Sequence, residues 1–564
     1  MTDPAPASAT PDLVAHLLAI ARRQPDAPAI SAPGRDAMTW KMLAQRIDAA
    51  RAVLSSLGIA RGDVVAGPTV DRAASAAALA AMPVSCTFAA LSPTLTVDAY
   101  AELFARMKAK AVLVPPDDAH PVKQAARRLG LAEIAFVADA RGPAGAFDLA
   151  LARATSSLDR GTRGPPWAYL CATSGSTGKP KIVPAAHRQI VVTSVALVAH
   201  LSLGPSDASA HLTPLYLGNG QRLACLNALM GGGSVHVLPE ADTEAFFRAI
   251  EDGAVTYATL SFAILRECLR RLGAGRKLAR GRLRFLRVAS GKLEPDEFER
   301  LESAFGVPAI TGLGLAETGI VLLQALPPAR RVRGSLGVPV VAEIRIADDR
   351  GRVVPDGETG EIQVRGAPVF DGYIDDPVLD AAAFVDGWFR TGDLGRRADG
   401  EVHLVGRAKE VINRGGDKIA PLEVDAALHA LPGVVDAAAF GVPHPRLGEE
   451  VAAAVVAKDP ANFDTEGALV RLRAVLGARR APRRIWIVAA LPRNDAGKVL
   501  RRSMAAWVGF DPALAAEAQV VVDDGAASPY EAPLAAMWAL VLDRDTVARD
   551  ADFSALGGDR TAAE

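Results

Sequence analysis

This chain lacks an excess of charge of either sign. Lys and Arg number 63 against 64 Asp and Glu, a formal net charge of -1 with a pI near 6.8. A nucleic-acid partner held by a basic surface is therefore not expected. Cysteine is scarce: Cys86, Cys171, Cys225 and Cys268 are scattered without CxxC spacing, which argues against a zinc site or a disulfide scaffold. No uninterrupted apolar run approaches the ~18–20 residues of a membrane span. The opening MTDPAPASAT lacks the basic start and apolar stretch of a secretory signal. The expectation is a cytoplasmic protein with no membrane partner.

The 564 residues are too many for one ordinary core, and about three or four packing units are expected. With 50% hydrophobic and 23% charged residues, disorder over most of the chain is excluded. In PDLVAHLLAIARRQPDAPAI, Leu13, Val14, Leu17, Leu18 and Ala21 share one helical face. The runs VVAGPTV, AVLVPP, EIAFVAD, SVHVLP and LRFLRVAS read as strands between Ala/Leu-rich helical stretches, a largely parallel α/β pattern. The polar GRRADGEVHLVGR marks a boundary near 405. The acidic, Pro-containing VVVDDGAASPYEAP marks a linker.

The most informative stretch is Tyr169-Leu170-Cys171-Ala172-Thr173-Ser174-Gly175-Ser176-Thr177-Gly178-Lys179-Pro180-Lys181. A short apolar strand runs into hydroxyls, glycines and lysines. Glycines let backbone N–H groups turn toward an anion and Lys181 adds charge, which suits a triphosphate. The GxxxxGK[ST] spacing of a Walker A loop is absent.

Further motifs follow: Gly314-Leu315-Ala316-Glu317-Thr318, Gly387-Trp388-Phe389-Arg390-Thr391-Gly392-Asp393-Leu394, Gly406-Arg407-Ala408-Lys409-Glu410 and Pro492-Arg493-Asn494-Asp495-Ala496-Gly497-Lys498. In this order they resemble the ATP-dependent acyl-adenylate-forming (AMP-binding) superfamily over roughly 11–510. INRGGDKIAPLEVD and AFGVPHPRLGEEVAAAVV look most like its oxalate–CoA ligase branch.

The resemblance implies an α/β fold with a large N-terminal adenylation domain (11–405) and a small mobile α+β C-terminal domain (406–512). A linker (513–528) and a partial helical carrier-protein segment (529–564) follow. It also implies two half-reactions: a carboxylate attacks the α-phosphate of ATP, and a pantetheine thiol then displaces AMP. Thr173, Ser174, Ser176, Thr177, Gly178 and Lys181 match the phosphate loop, and Glu317 the acid associated with Mg²⁺. Asp393 and Arg407 match the ribose-binding pair. Lys498 matches the lysine between substrate carboxylate and α-phosphate, and Lys409 the hinge. Gly415 and Gly416 match the channel for the thiol arm.

Three nucleotide-side positions depart from the family. Leu313 stands where an aromatic residue commonly stacks on adenine, Ala316 replaces a threonine, and Gly291-Lys292 replaces Ala-Pro. Leu217 occupies the place of the aspartate that receives an α-ammonium, and burying that cation unpaired is costly. An acid without an α-amino group is therefore expected, lined by Tyr216, Leu217, Asn219, Ala258, Thr259, Ser261 and Leu315.

The segment YEAPLAAMWALVLDRDTVARDADFSALGGD resembles the start of a carrier domain, but Arg560 follows where the modified serine belongs. The resemblance favours a carrier thiol over free CoA as acceptor. A free-standing acyl-CoA ligase and a catalytically weakened scaffold remain alternatives.

Overall fold

The structure, a computed structural model, describes residues 11–159, 164–173, 180–273, 278–289, 295–494 and 497–510. The chain folds as two compact α/β units that divide between Leu404 and Val405. The expected linker and carrier segment lie outside the described residues.

In the first unit, the short β-branched runs become parallel strands. One sheet of nine strands has at its centre Ala309–Leu315, Phe285–Ala289, Tyr257–Ser261, Ala208–His211 and Ser234–Val237, in that order and all parallel. A second sheet of seven contains the parallel strands Ala132–Ala138, Ala111–Val114, Val64–Pro68 and Thr87–Leu91. Trp167–Thr173 continues it in parallel and closes an antiparallel hairpin with Lys181–Ala186.

Between the sheets lies the helix Arg72–Ala81, RAASAAALAA, whose residues from Ala73 onward are all buried. Its small side chains allow close approach to both layers. Its alanines from Ala73 onward and Leu79 share one core cluster with Val65 and Ala111 of the seven-stranded sheet and with Val235 and Tyr257 of the nine-stranded one. The first helix, Leu13–Arg23, starts where Asp12 accepts a hydrogen bond from the Ala15 amide, and it buries Leu13, Val14, Leu17, Ile20 and Ala21. Leu18 is only partly buried, and Ile20 takes its place on the buried face.

A smaller five-stranded sheet includes Gly360–Arg365 and Trp388–Ala398. The second unit is built on the long antiparallel hairpin Val434–His444 with Gly448–Ala457, packed against the helices Pro421–His429 and Thr465–Leu476. No helix among the described residues is long and apolar enough to cross a membrane.

Candidate functional site

Ligands of open parallel sheets collect beyond the carboxyl ends of the strands, and the motif residues of the first unit stand at those ends. Ala208–His211 leads into Tyr216, Leu217 and Asn219. Tyr257–Ser261 ends at Thr259 and Ser261, and Ala309–Leu315 ends at Leu315 just before Glu317.

The turn carrying Tyr216 to Asn219 is held from below. His211 is wholly buried; its Nε2 lies 3.0 Å from the Gly220 carbonyl and its Nδ1 3.2 Å from Arg72 Nη2. Arginine only donates, so Nδ1 accepts and Nε2 carries the proton. Burial, reinforced by the Arg72 charge, pulls the His211 imidazole down to about 4. Arg72 also donates to the Thr213 carbonyl across 3.1 Å. Residue 220 must be glycine, because a Cβ there would lie 2.0 Å from the Pro214 carbonyl oxygen. Asn219–Leu226 then winds as a π-helix, a form frequent at functional sites.

From that helix the buried Arg222 donates to the Ala316 carbonyl across 2.9 Å, tying the Tyr216–Asn219 turn to the residue before Glu317. Burial pulls its guanidinium below the ordinary value, against the opposing influence of Cys171 and Glu317.

Thr173 and Lys181 face each other as cross-strand partners at the mouth of the hairpin that carries the predicted phosphate loop. Ser174, Ser176, Thr177 and Gly178 lie outside the described residues, as do Gly291 and Lys292. Lys181 Nζ lies 3.3 Å from the Tyr373 hydroxyl and 4.6 Å from its ring centroid. The same hydroxyl donates to Glu317 Oε1 across 2.8 Å. Tyr373 thus joins the phosphate hairpin to the predicted metal-side carboxylate.

The tyrosine is fixed by the edge of Phe370 at 4.8 Å and by its own amide, which donates to Asp380 across 2.7 Å. Burial and the Glu317 charge push its phenol far above the ordinary value, so it stays a donor. Sequence reasoning missed Tyr373; the available signal was a lone tyrosine in Phe370-Asp371-Gly372-Tyr373, a run with no chemical mark of its own.

Asp393 is buried at the end of a bulge: Glu361 pairs Leu394 and Gln363 pairs Arg390, so Thr391, Gly392 and Asp393 face Ile362 alone. Glu361 holds that bulge by accepting from the Gly392 amide at 3.0 Å and from Arg390 Nε at 2.7 Å.

Two expectations are corrected. Ala258 does not line the acid side: strand alternation turns it to the opposite face, into a core with Leu260, Leu286 and Val288. Leu313 is likewise packed among Val321, Leu322, Ile346 and Ile362, which leaves only 8% of it exposed for an adenine to cover. Ser261 sits at the predicted edge, but its hydroxyl accepts from the Ile264 amide and caps the following helix.

In the second unit, Arg407 and Lys409 are exposed around the turn Ala408–Glu410. Gly415 and Gly416 form the two-residue turn between Ile412–Arg414 and Asp417–Ile419, with φ of +58° and +97°. That left-handed pair suits glycine. Lys498 is exposed in a tight turn: its amide donates to Asn494 Oδ1 across 3.0 Å, and its carbonyl accepts from the Asn494 amide at 2.9 Å. Arg493 braces this turn through the Gly497 carbonyl at 2.8 Å and Asp436 at 2.5 Å.

The family described as AMP-binding enzyme matches residues 17–374, and the AMP-binding enzyme C-terminal domain matches 423–498. The chain is 32% identical over 501 residues to an oxalate–CoA ligase of Arabidopsis thaliana, covering 86% of this chain and 96% of that protein. It is 37% identical over 337 residues to a sulfoacetate–CoA ligase of Cupriavidus necator, covering 59% and 66%. The ATP-bound crystal structure of MatB from Rhodopseudomonas palustris superposes with a TM-score of 0.79 at 27% identity, covering 89% of this chain and 99% of that one.

Proposed function

The chain belongs to the AMP-binding enzyme family, and from that premise we propose how its residues activate a carboxylic acid with ATP and pass the acyl group to a pantetheine thiol. A carboxylate is a poor acyl electrophile until its oxygen becomes part of a good leaving group, and adenylation supplies one. The protein's contribution is then positioning and charge.

The observation that carries this reading is the convergence of Lys181 and Glu317 on the Tyr373 hydroxyl. A cation from one sheet and a carboxylate from the other meet where the predicted phosphate loop begins. The Glu317 carboxylate, half-buried with one oxygen engaged by Tyr373, suits a Mg²⁺ ion that takes a single protein carboxylate plus phosphate oxygens and water. Bound there, the ion would supply charge neutralisation for the departing pyrophosphate.

Asp393 is assigned to the ribose hydroxyls with Arg407, and Lys498 to the charge that develops between carboxylate and α-phosphate. Lys409 is assigned to the turn that follows adenylation, and Gly415–Gly416 to the passage of the thiol arm. Neither Tyr216 nor Leu217 can balance an α-ammonium, which supports an acid without an α-amino group. The acceptor has two forms: the similarity to CoA ligases favours CoA, and the carrier-like 530–559 sequence favours a carrier thiol.

ATP–pyrophosphate exchange against aliphatic, aromatic, dicarboxylic and amino acids tests the reading, with Lys498→Ala as control. Exchange with at least one non-amino acid is the expected result. Silence across the panel in folded protein overturns it. Mass spectrometry of the thiol product, with CoA and with a phosphopantetheinylated carrier, then separates the two acceptors.

A further inference from the structure

Arg287 is a buried cation for which the acid-side machinery described above has no use. It lies in the strand Phe285–Ala289, between Tyr257–Ser261 and Ala309–Leu315, with Thr259 and Ile310 as its cross-strand partners. Alternation along this strand puts Leu286 and Val288 into the helix-packed core that also holds Ala258. Phe285 faces the other way, into the core shared with Tyr257 and Ile310. Arg287 therefore shares the face of Tyr257 and Thr259, the face toward the Asn219 turn.

The side chain is 3% exposed. Its Nη2 donates to Asn219 Oδ1 across 3.3 Å, while Nε and Nη1 have no hydrogen-bond partner among the described residues. No described carboxylate forms an ion pair with it. Removal from water accordingly pulls its guanidinium down to about 10, opposed only by Tyr257.

An arginine held this way is expensive for a fold to keep, since buried guanidinium groups ordinarily carry an anionic partner. Nη2 keeps a second hydrogen beside the unpartnered Nε and Nη1, and with one of them it makes the planar fork that matches a carboxylate or sulfonate in two parallel hydrogen bonds. Asn219, half-exposed on the acid side, stands in front of it. Arg287 lies two residues, or about 7 Å, below the strand end at Ala289. That depth suits the far end of a short molecule whose reacting carboxylate sits at the strand ends.

We propose that Arg287, with Asn219 in front of it, receives a second anionic group of the acid, so that the substrates of this protein are short acids carrying two anionic groups. The inference rests on the acid-activating reading above and names its substrate class. Arg287 is a specificity determinant, and the reacting carboxylate is handled elsewhere.

The test compares acids matched in size but not in charge: malonate against its monomethyl ester, and oxalate against monomethyl oxalate, in ATP–pyrophosphate exchange. The wild-type chain is expected to prefer each dianion by 100-fold or more in kcat/KM. Arg287→Met removes the charge at similar volume. It is expected to bring the preference below tenfold, mainly by raising KM for the dianion, while Arg287→Lys keeps an intermediate preference.

A wild-type preference for the monoesters overturns the inference. So does an undiminished preference in Arg287→Met, or a uniform loss for both acid classes together with a lower Tm. Should no acid support exchange, the acid-activating reading itself falls. Calorimetric titration of malonate into the wild-type chain and Arg287→Met then reads the inference alone: binding lost in the variant supports it, and no binding to the wild type overturns it.

Discussion

The Tyr373 hydroxyl donates to Glu317 Oε1 across 2.8 Å, placing a permanently protonated phenol against the carboxylate assigned to the metal. The bond holds one carboxylate oxygen and sets the direction in which the other is offered. Tyr373→Phe keeps the ring packing on Phe370 and removes only the hydroxyl. It is expected to slow ATP–pyrophosphate exchange about tenfold, the worth of one well-placed hydrogen bond. Titration of Mg²⁺ in the assay should show a weaker apparent affinity, and an unchanged Mg²⁺ dependence would detach Tyr373 from this role.

Lys498→Ala is expected to lower adenylation by about 10²-fold or more, the usual loss when a charge acting in the transition state is removed. Thioester formation from preformed acyl-AMP should be spared. Equal losses in the two half-reactions, measured separately, would refute the assignment. Lys409→Pro should show the reverse pattern, since a fixed φ restrains the turn Ala408–Glu410 and leaves Lys498 unchanged.

Gly220→Ala places a methyl group 2.0 Å from the Pro214 carbonyl oxygen, against backbone that cannot swing aside as a side chain would. The turn must open, and the Arg72–His211–Gly220 hydrogen bonds open with it. A loss of at least about 2 kcal/mol in unfolding free energy is expected, within the range of overpacking effects. Weaker acid binding should accompany it. Denaturant unfolding of the variant checks the first and exchange kinetics the second.

His211 ties stability to pH. Its folded value, about 4, lies below that of an unfolded histidine near 6.5, so the unfolded chain binds the extra proton between these limits. Stability is fully present above the unfolded value and is lost as pH falls toward the folded one. At pH 5 the loss from this residue is about 2 kcal/mol. Unfolding midpoints at pH 7.5 and pH 5 should differ more in the wild-type chain than in His211→Asn, which cannot take up a proton.

Much of this protein was legible before any coordinates. The order of its motifs is a local property, carried by Thr173 to Lys181, by Gly314 to Thr318 and by Pro492 to Lys498, and it points to the AMP-binding family. Short β-branched runs between Ala-rich helices were enough to expect parallel sheets, because strand and helix periods are written in neighbouring residues. The pairing of faces was less accessible. Ala258 and Thr259 are adjacent and both small, yet strand alternation sends one to a helix-packed core and the other to the opposite face of the sheet, beside Arg287.

Charge was the least readable feature of all. In LRFLRVAS, Arg284 and Arg287 look alike. Arg284 reaches Asp207 at 2.6 Å, while Arg287 is covered on a central strand with two donors unpartnered among the described residues. Sequence determined the family, since the motifs that mark it are set by local order and spacing. Only the tertiary structure decided that Tyr373 joins Lys181 to Glu317, and that Arg287 is a buried cation beside Asn219. Those relationships depend on which strands become neighbours and which faces they cover, and segments far apart in the chain must pack before either exists.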